Sequence, residues 1–152
     1  MGYLADIYVI KKSRSRKIGI DFLNKFLPNR QESADEYFIP QYSENPIHKF
    51  NNVSKLMTFL ESNREYAQNI YWESTVDENL NKHAMIFYTK DGCMIFGISQ
   101  NAETNGELNT KTMDTCLLKM KKFLKTNIGY IDYENPPANT YKKFVELVED
   151  LK

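Results

Sequence analysis

The chain has 152 residues, 41% hydrophobic and 13% aromatic, enough for a single globular domain over residues 1–152 with its own core. Its 20 basic and 20 acidic side chains cancel, so bulk charge gives no drive toward a polyanion. No run approaches the roughly 18 apolar residues of a membrane span, and the N-terminus shows no apolar stretch before a cleavage site, so a cytoplasmic protein with no membrane partner is expected.

Tyr3 to Ile10, "YLADIYVI", is β-branched and aromatic and ends at a basic run, which predicts a strand. In "SRSRKIGIDFLNKFLPN", Ile18, Phe22, Leu23 and Phe26 recur at helical spacing; Ser13 or Ser15 supplies the N-cap, and Pro28 with Asn29 stops the helix. "EYFI" reads as a short strand ended by Pro40. "NNVSKLMTFLESN" predicts a helix capped by Asn52, with Val53, Leu56, Met57 and Leu60 on its apolar face. "YAQNIYWES" reads as a strand and "TVDENLNK" as a polar loop. In "HAMIFYTKDGCMIFGIS" two apolar runs flank Asp91-Gly92, the pair favoured by two-residue type I′ hairpin turns in which both residues have positive φ. Because the runs barely alternate, this hairpin belongs in the middle of the sheet. "NAETNGELNT" is loop. "KTMDTCLLKMKKFLKTN" carries Met113, Cys116, Leu117, Met120, Phe123 and Leu124 on one helical stripe. "IGYIDY" is a last strand, broken by Pro136 and Pro137. "ANTYKKFVELVEDLK" closes as a helix on Tyr141, Phe144, Val145 and Val148. These elements predict an α+β fold: a mixed, largely antiparallel sheet of five or six strands, with about four helices mainly on one face.

The sequence contains no GxSxG, GxGxxG, GxxxxGK(S/T), HExxH or CxxC spacing. His48 and His83 lie far apart without metal-ligand spacing, so neither a metal nor a cofactor is expected. Cys93 and Cys116 sit in apolar contexts and read as reduced, buried, poorly reactive thiols. Asp132 and Glu134 alternate along the last strand and, with Tyr130, read as a solvated edge. The run "KKSRSRK" places Lys11, Lys12, Arg14, Arg16 and Lys17 at a helix N-terminus, where the helix dipole favours the opposite sign. Such a mismatch marks an anion or nucleic-acid contact, or more commonly a solvated loop.

Residues 28–107 carry six basic and twelve acidic side chains, so the middle of the chain is −6 and the two ends together +6. Within it, residues 28–51 connect two helices, a length that marks a functional loop or one containing further structure. "DEYFIPQYSENPIHKF" is aromatic and acidic. Phe38 and Ile39 are expected to anchor it on the core. Asp35, Glu36, Tyr37, Tyr42 and Glu44 are the candidate contact surface for another protein.

"FLNKFLPNR", "ADEYFIPQYSENP", "IYWES", "IFYTKDGCMIFGIS" and "IGYIDYENPP" resemble segments of an uncharacterised family of small bacterial cytosolic proteins, some of which look like immunity partners of polymorphic toxins. The resemblance covers most of the chain and implies a toxin-neutralising role, but its motifs carry no chemistry, and no functional residue is carried over from it. The leading expectation is therefore a non-enzymatic protein-interaction domain. One alternative is a small hydrolase or transferase with a site near Tyr37, His48 and Asp132; another is nucleic-acid binding through residues 11–17, which the neutral net charge disfavours. Neither the partner's identity nor the oligomeric state is legible in the residues.

Overall fold

The first strand, β1 (Leu4–Lys11), buries residues on both of its faces, as a central strand covered on both sides must. The computed structural model describes residues 3–152. After β1 come α1 (Arg16–Phe26), β2 (Arg30–Glu32), β3 (Tyr37–Ile39), β4 (His48–Phe50), α2 (Val53–Ser62), β5 (Gln68–Ser74) and β6 (Asn81–Tyr88). They are followed by β7 (Met94–Asn101), β8 (Glu103–Thr104), β9 (Glu107–Leu108), α3 (Thr110–Leu124), β10 (Gly129–Tyr133) and α4 (Tyr141–Asp150). The main sheet has six strands in the order β10-β1-β7-β6-β5-β2, and every neighbouring pair is antiparallel. β3–β4 and β8–β9 are separate two-stranded ribbons. The α+β class stands. The short strands β2, β4, β8 and β9 were not expected, since two or three residues are too few to show a period. No helix among the described residues is long and apolar enough to cross a membrane.

Period-2 alternation divides the sheet into two faces. Ala5, Ile7, Val9, Ile86, Phe96 and Ile98 point to the first, where α1, α2 and α3 bring Phe22, Leu23, Leu56, Met57, Met113 and Met120. Tyr8, Ile10, Met85, Phe87, Ile95 and Tyr130 point to the second, where only α4 packs, through Phe144. Gly97 makes room there: a Cβ on it would stand 3.1 Å from the Tyr8 ring. Ser15, one of the two expected caps, accepts from the Ile18 N–H at 3.1 Å, and Asn52 accepts from the Lys55 N–H at 3.0 Å.

The β6–β7 hairpin lies where expected, but its turn is not a two-residue one. The Gly92 N–H donates to the Thr89 carbonyl at 3.0 Å and the Thr89 N–H to the Cys93 carbonyl at 3.1 Å. Lys90, Asp91 and Gly92 thus form a three-residue loop. Only Gly92, at φ 90°, is left-handed; Asp91 is not. This is the type I turn followed by an αL residue. It suits Asp91 because its carboxylate accepts from the Thr89 hydroxyl and, at 2.8 Å, from the Tyr141 N–H at the start of α4. An acid at a helix N-terminus is favourable, so the hairpin tip pins α4 onto the second face.

The 28–51 connection is ordered by β2 and by the β3–β4 ribbon. Tyr37 and Ile39 are its buried residues, and Phe38 between them is only half-buried. Phe38 and Ile39 cannot both point inward, because consecutive strand residues face opposite sides. Phe38 instead lies beneath Lys49, whose Nζ is 5.9 Å from the ring centre. Ile39→Ala is therefore expected to lower stability by about 3 kcal/mol, and Phe38→Ala by less than about 1 kcal/mol. Urea melts of the two variants check this order; equal losses would mean that both side chains anchor the connection.

Candidate interaction face

The second face is covered unequally. α4 packs through Phe144, and the cluster it closes reaches β6 through the buried Met85 and Phe87, while Tyr71 on β5 stays exposed. An aromatic ladder runs from the covered half to the open one. Phe144 packs on Tyr130 at 4.8 Å between ring centres, Tyr130 on Tyr8 at 5.6 Å, Tyr8 on Phe87 at 6.0 Å and Phe87 on the exposed Tyr71 at 5.7 Å.

Register places one polar residue from every strand in a single row beside that ladder. The cross-strand partners are Asp132 with Asp6, Asp6 with Ser99, Ser99 with His83, His83 with Glu73, and Glu73 with Gln31. His83 Nδ1 and the Ser99 hydroxyl share a hydrogen bond of 3.0 Å, and Gln31 Nε2 donates to Glu73 Oε1 at 2.6 Å. Asp6 is buried, and its carboxyl is pushed up from 3.8 to about 6. Loss of hydration is the largest cause; N–H groups of Glu134 and Asn135 work against it, and the charges of Glu134 and Asp132 add to it. The Asp132–Glu134 edge thus acts on a buried acid that the sequence reading did not single out.

Farther along the same face, toward the β6–β7 hairpin, a groove of about 610 Å³ lies between residues 40–42 and the segment Pro136–Asn139, with Phe87 and Asn69 among its lining residues. The Gln41 side-chain amide holds one wall. Its Oε1 accepts from the Asn69 N–H at 2.8 Å and its Nε2 donates to the Asn69 carbonyl at 3.1 Å, so a side chain replaces a strand partner at the sheet edge. Tyr42, beside it, is 82% exposed and has a left-handed φ of 64°. A bulky residue in that region is strained, and strain is retained where surrounding structure imposes it, often at sites of function.

The expected contact residues are only partly gathered here. Tyr42 lines the groove. Asp35, Glu36 and Glu44 are exposed, with Glu36 3.4 Å from Lys49 Nζ. Tyr37 is not a surface residue: it is buried on the first face, and its hydroxyl donates to Glu32 Oε1 at 2.7 Å. The strand alternation that turns Phe38 toward Lys49 turns Tyr37 inward.

The basic run is dispersed as well. Arg14 is buried, and its guanidinium donates to four backbone carbonyls. Lys11 donates to the Leu124 carbonyl at 2.6 Å, and Lys12 stands over the Tyr141 ring. Arg16 donates to the Ser54 hydroxyl at 2.8 Å, and Lys17 pairs with Asp21 at 2.8 Å. The start of α1 receives its anion from another helix, because the Arg16 N–H donates to Glu61 Oε2 at 2.5 Å. No common anion site results.

The residues of the alternative catalytic site do not converge either. Tyr37 and His48 belong to the β3–β4 ribbon beside the β5 edge, and Asp132 lies on β10 at the opposite edge of the main sheet. The hydrogen-bonded Ser99–His83 pair has the composition of a nucleophile and its base, but Ser99 is only 2% exposed, which keeps a substrate carbonyl from its hydroxyl. Cys93 and Cys116 are free and buried. Burial pushes both thiols up, Cys116 to about 12. Among the described residues no three His, Cys, Asp or Glu side chains are grouped to hold a metal. Comparison with known protein families, curated proteins and solved structures finds no match for the chain.

Proposed function

We propose that this chain is a non-enzymatic protein-binding domain whose open half of the second sheet face receives a protein with a basic surface. The carrying observation is the unequal covering of the sheet. It leaves Tyr71 exposed and His83 and Glu73 half-buried on that face, with the strained and exposed Tyr42 at the groove beside them. Rigid aromatic side chains lose little entropy on contact and make effective anchors, and the neighbouring acids select a cationic partner. Asp35, Glu36 and Glu44 add negative charge on the connection that carries Tyr42. A toxin-neutralising, immunity-like role in a bacterial cytoplasm, the role implied by the sequence resemblance, suits such a face. The two free, buried cysteines support a reducing compartment.

The test is capture of the partner from the source cell, followed by titration against variants. Tyr42→Ala and Tyr71→Ala should each weaken the complex by about 2 kcal/mol, roughly thirtyfold, with the melting temperature unchanged. Binding should also weaken as salt is raised. A partner that binds both variants with parental affinity would remove this face from consideration.

A further inference from the structure

The first face, opposite the proposed interaction surface, holds a cleft of about 840 Å³ between the end of α1, the length of α3 and the adjoining ends of β6 and β7. Four lysines line it: Lys25 from α1 and Lys111, Lys119 and Lys122 from α3. No acidic side chain lines it, and among the described residues none of the four lysines is paired with a carboxylate. Four unneutralised ammonium groups around one concavity repel one another, and an anion relieves that repulsion.

The rest of the lining narrows the class of anion. Phe26, Phe123 and the exposed Leu80 give it apolar wall. Asn81 and Gln100 form a polar chain on the sheet side: Gln100 Nε2 donates to Asn81 Oδ1 at 2.8 Å, and Asn81 Nδ2 donates to the Phe26 carbonyl at 2.7 Å. Gln100 is 1% exposed, and its Oε1 has no hydrogen-bond partner, whereas buried carbonyl oxygens are ordinarily paired. The complementary ligand combines several negative charges with a flat apolar group and a donor for a carbonyl oxygen. We infer that this cleft binds a nucleotide, its phosphates among Lys119, Lys122 and Lys25 and its base against the apolar wall that includes Leu80, with an amino group directed at Gln100.

Titration of the full chain with a fluorescent N-methylanthraniloyl nucleoside triphosphate tests this at low and physiological salt. Saturable binding displaced by unlabelled triphosphate is expected. The double variant Lys119→Glu/Lys122→Glu should weaken it about tenfold or more, since each charge-assisted contact is lost and reversed. Both lysines are exposed, so its melting curve should match the parent's. Leu80→Asp should weaken the nucleotide while leaving inorganic tripolyphosphate unaffected, which isolates the base contact. The assignment is overturned by no saturation at millimolar nucleotide, by equal affinity in the lysine variant, or by tripolyphosphate binding as tightly as the nucleotide. Binding of single-stranded RNA that nucleotide fails to displace would likewise overturn it, leaving α3 as a surface for extended polyanions. None of these outcomes touches the opposite face, so the two proposals stand or fall separately.

Discussion

Replacing Arg14 by alanine is expected to lower the stability of the fold by about 3 kcal/mol, a large part of what a domain of this size has. The guanidinium joins three parts of the chain. One terminal nitrogen donates to the carbonyls of Leu60 at 2.6 Å and Asn63 at 3.0 Å, at the C-terminus of α2. The other donates to Tyr66 in the following loop and to Thr89 at the β6–β7 hairpin, both at 2.6 Å. Its plane also lies 5.2 Å from the centre of the Tyr88 ring. A cation at the end of α2 offsets the helix dipole, and hydrogen bonds from a charged donor are the stronger kind. Alanine takes a donor from all four carbonyls and leaves those of Leu60 and Tyr66 with none, since Thr89 keeps the Gly92 N–H and Asn63 the Tyr66 N–H; the site is 7% exposed, and each orphaned group costs about 1 kcal/mol or more. Lysine should recover less than half of the loss, because a single ammonium cannot reproduce the planar fork that reaches all four oxygens. The measurement is the denaturant midpoint at unchanged slope. A midpoint within error of the parent's would show that water replaces the guanidinium without loss.

Asp6→Asn has the opposite sign: at pH 7.5 it is expected to stabilise the protein by about 2 kcal/mol. The Asp6 carboxyl titrates near 6 in the folded protein against 3.8 ordinarily. Between those values the folded state holds a proton that the unfolded chain has released, so stability falls as pH rises. The contribution of Asp6 is complete below about pH 4 and is lost as pH climbs through 6. The advantage of asparagine should therefore be present at pH 7.5 and disappear by pH 4. Paired melts across that range decide it; a constant difference between parent and variant would place the titration elsewhere.

Arg14 and Asp6 also mark the boundary of what the sequence determined. The long periodic segments were legible: β1, the three helical stripes of α1, α2 and α3, the α4 stripe around Phe144, and the β6–β7 pair. Their rhythm records burial, which is a local property of each element. Caps at Ser15 and Asn52 were legible for the same reason, since an N-cap bonds only a few residues onward. What the chain order does not contain is register and partner choice. Tyr37 was assigned to the surface because its neighbours are acidic, and only its place in β3 turns it inward. Arg14 read as one cation of a basic run, yet its acceptors lie between 46 and 75 residues away. The polar row on the second face draws one residue from each of six strands. Even the anomaly of Asp6 in an apolar strand says nothing of Asp132 or Ser99 until antiparallel pairing sets them alongside. The lysine cleft has the same origin, since helical spacing aligns Lys111, Lys119 and Lys122, while the packing of α1 beside α3 adds Lys25 and encloses a volume. Alternation and helical period tell which residues share a face of one element; which faces meet is decided by the packing of elements distant in sequence, and both proposed sites exist only at that level.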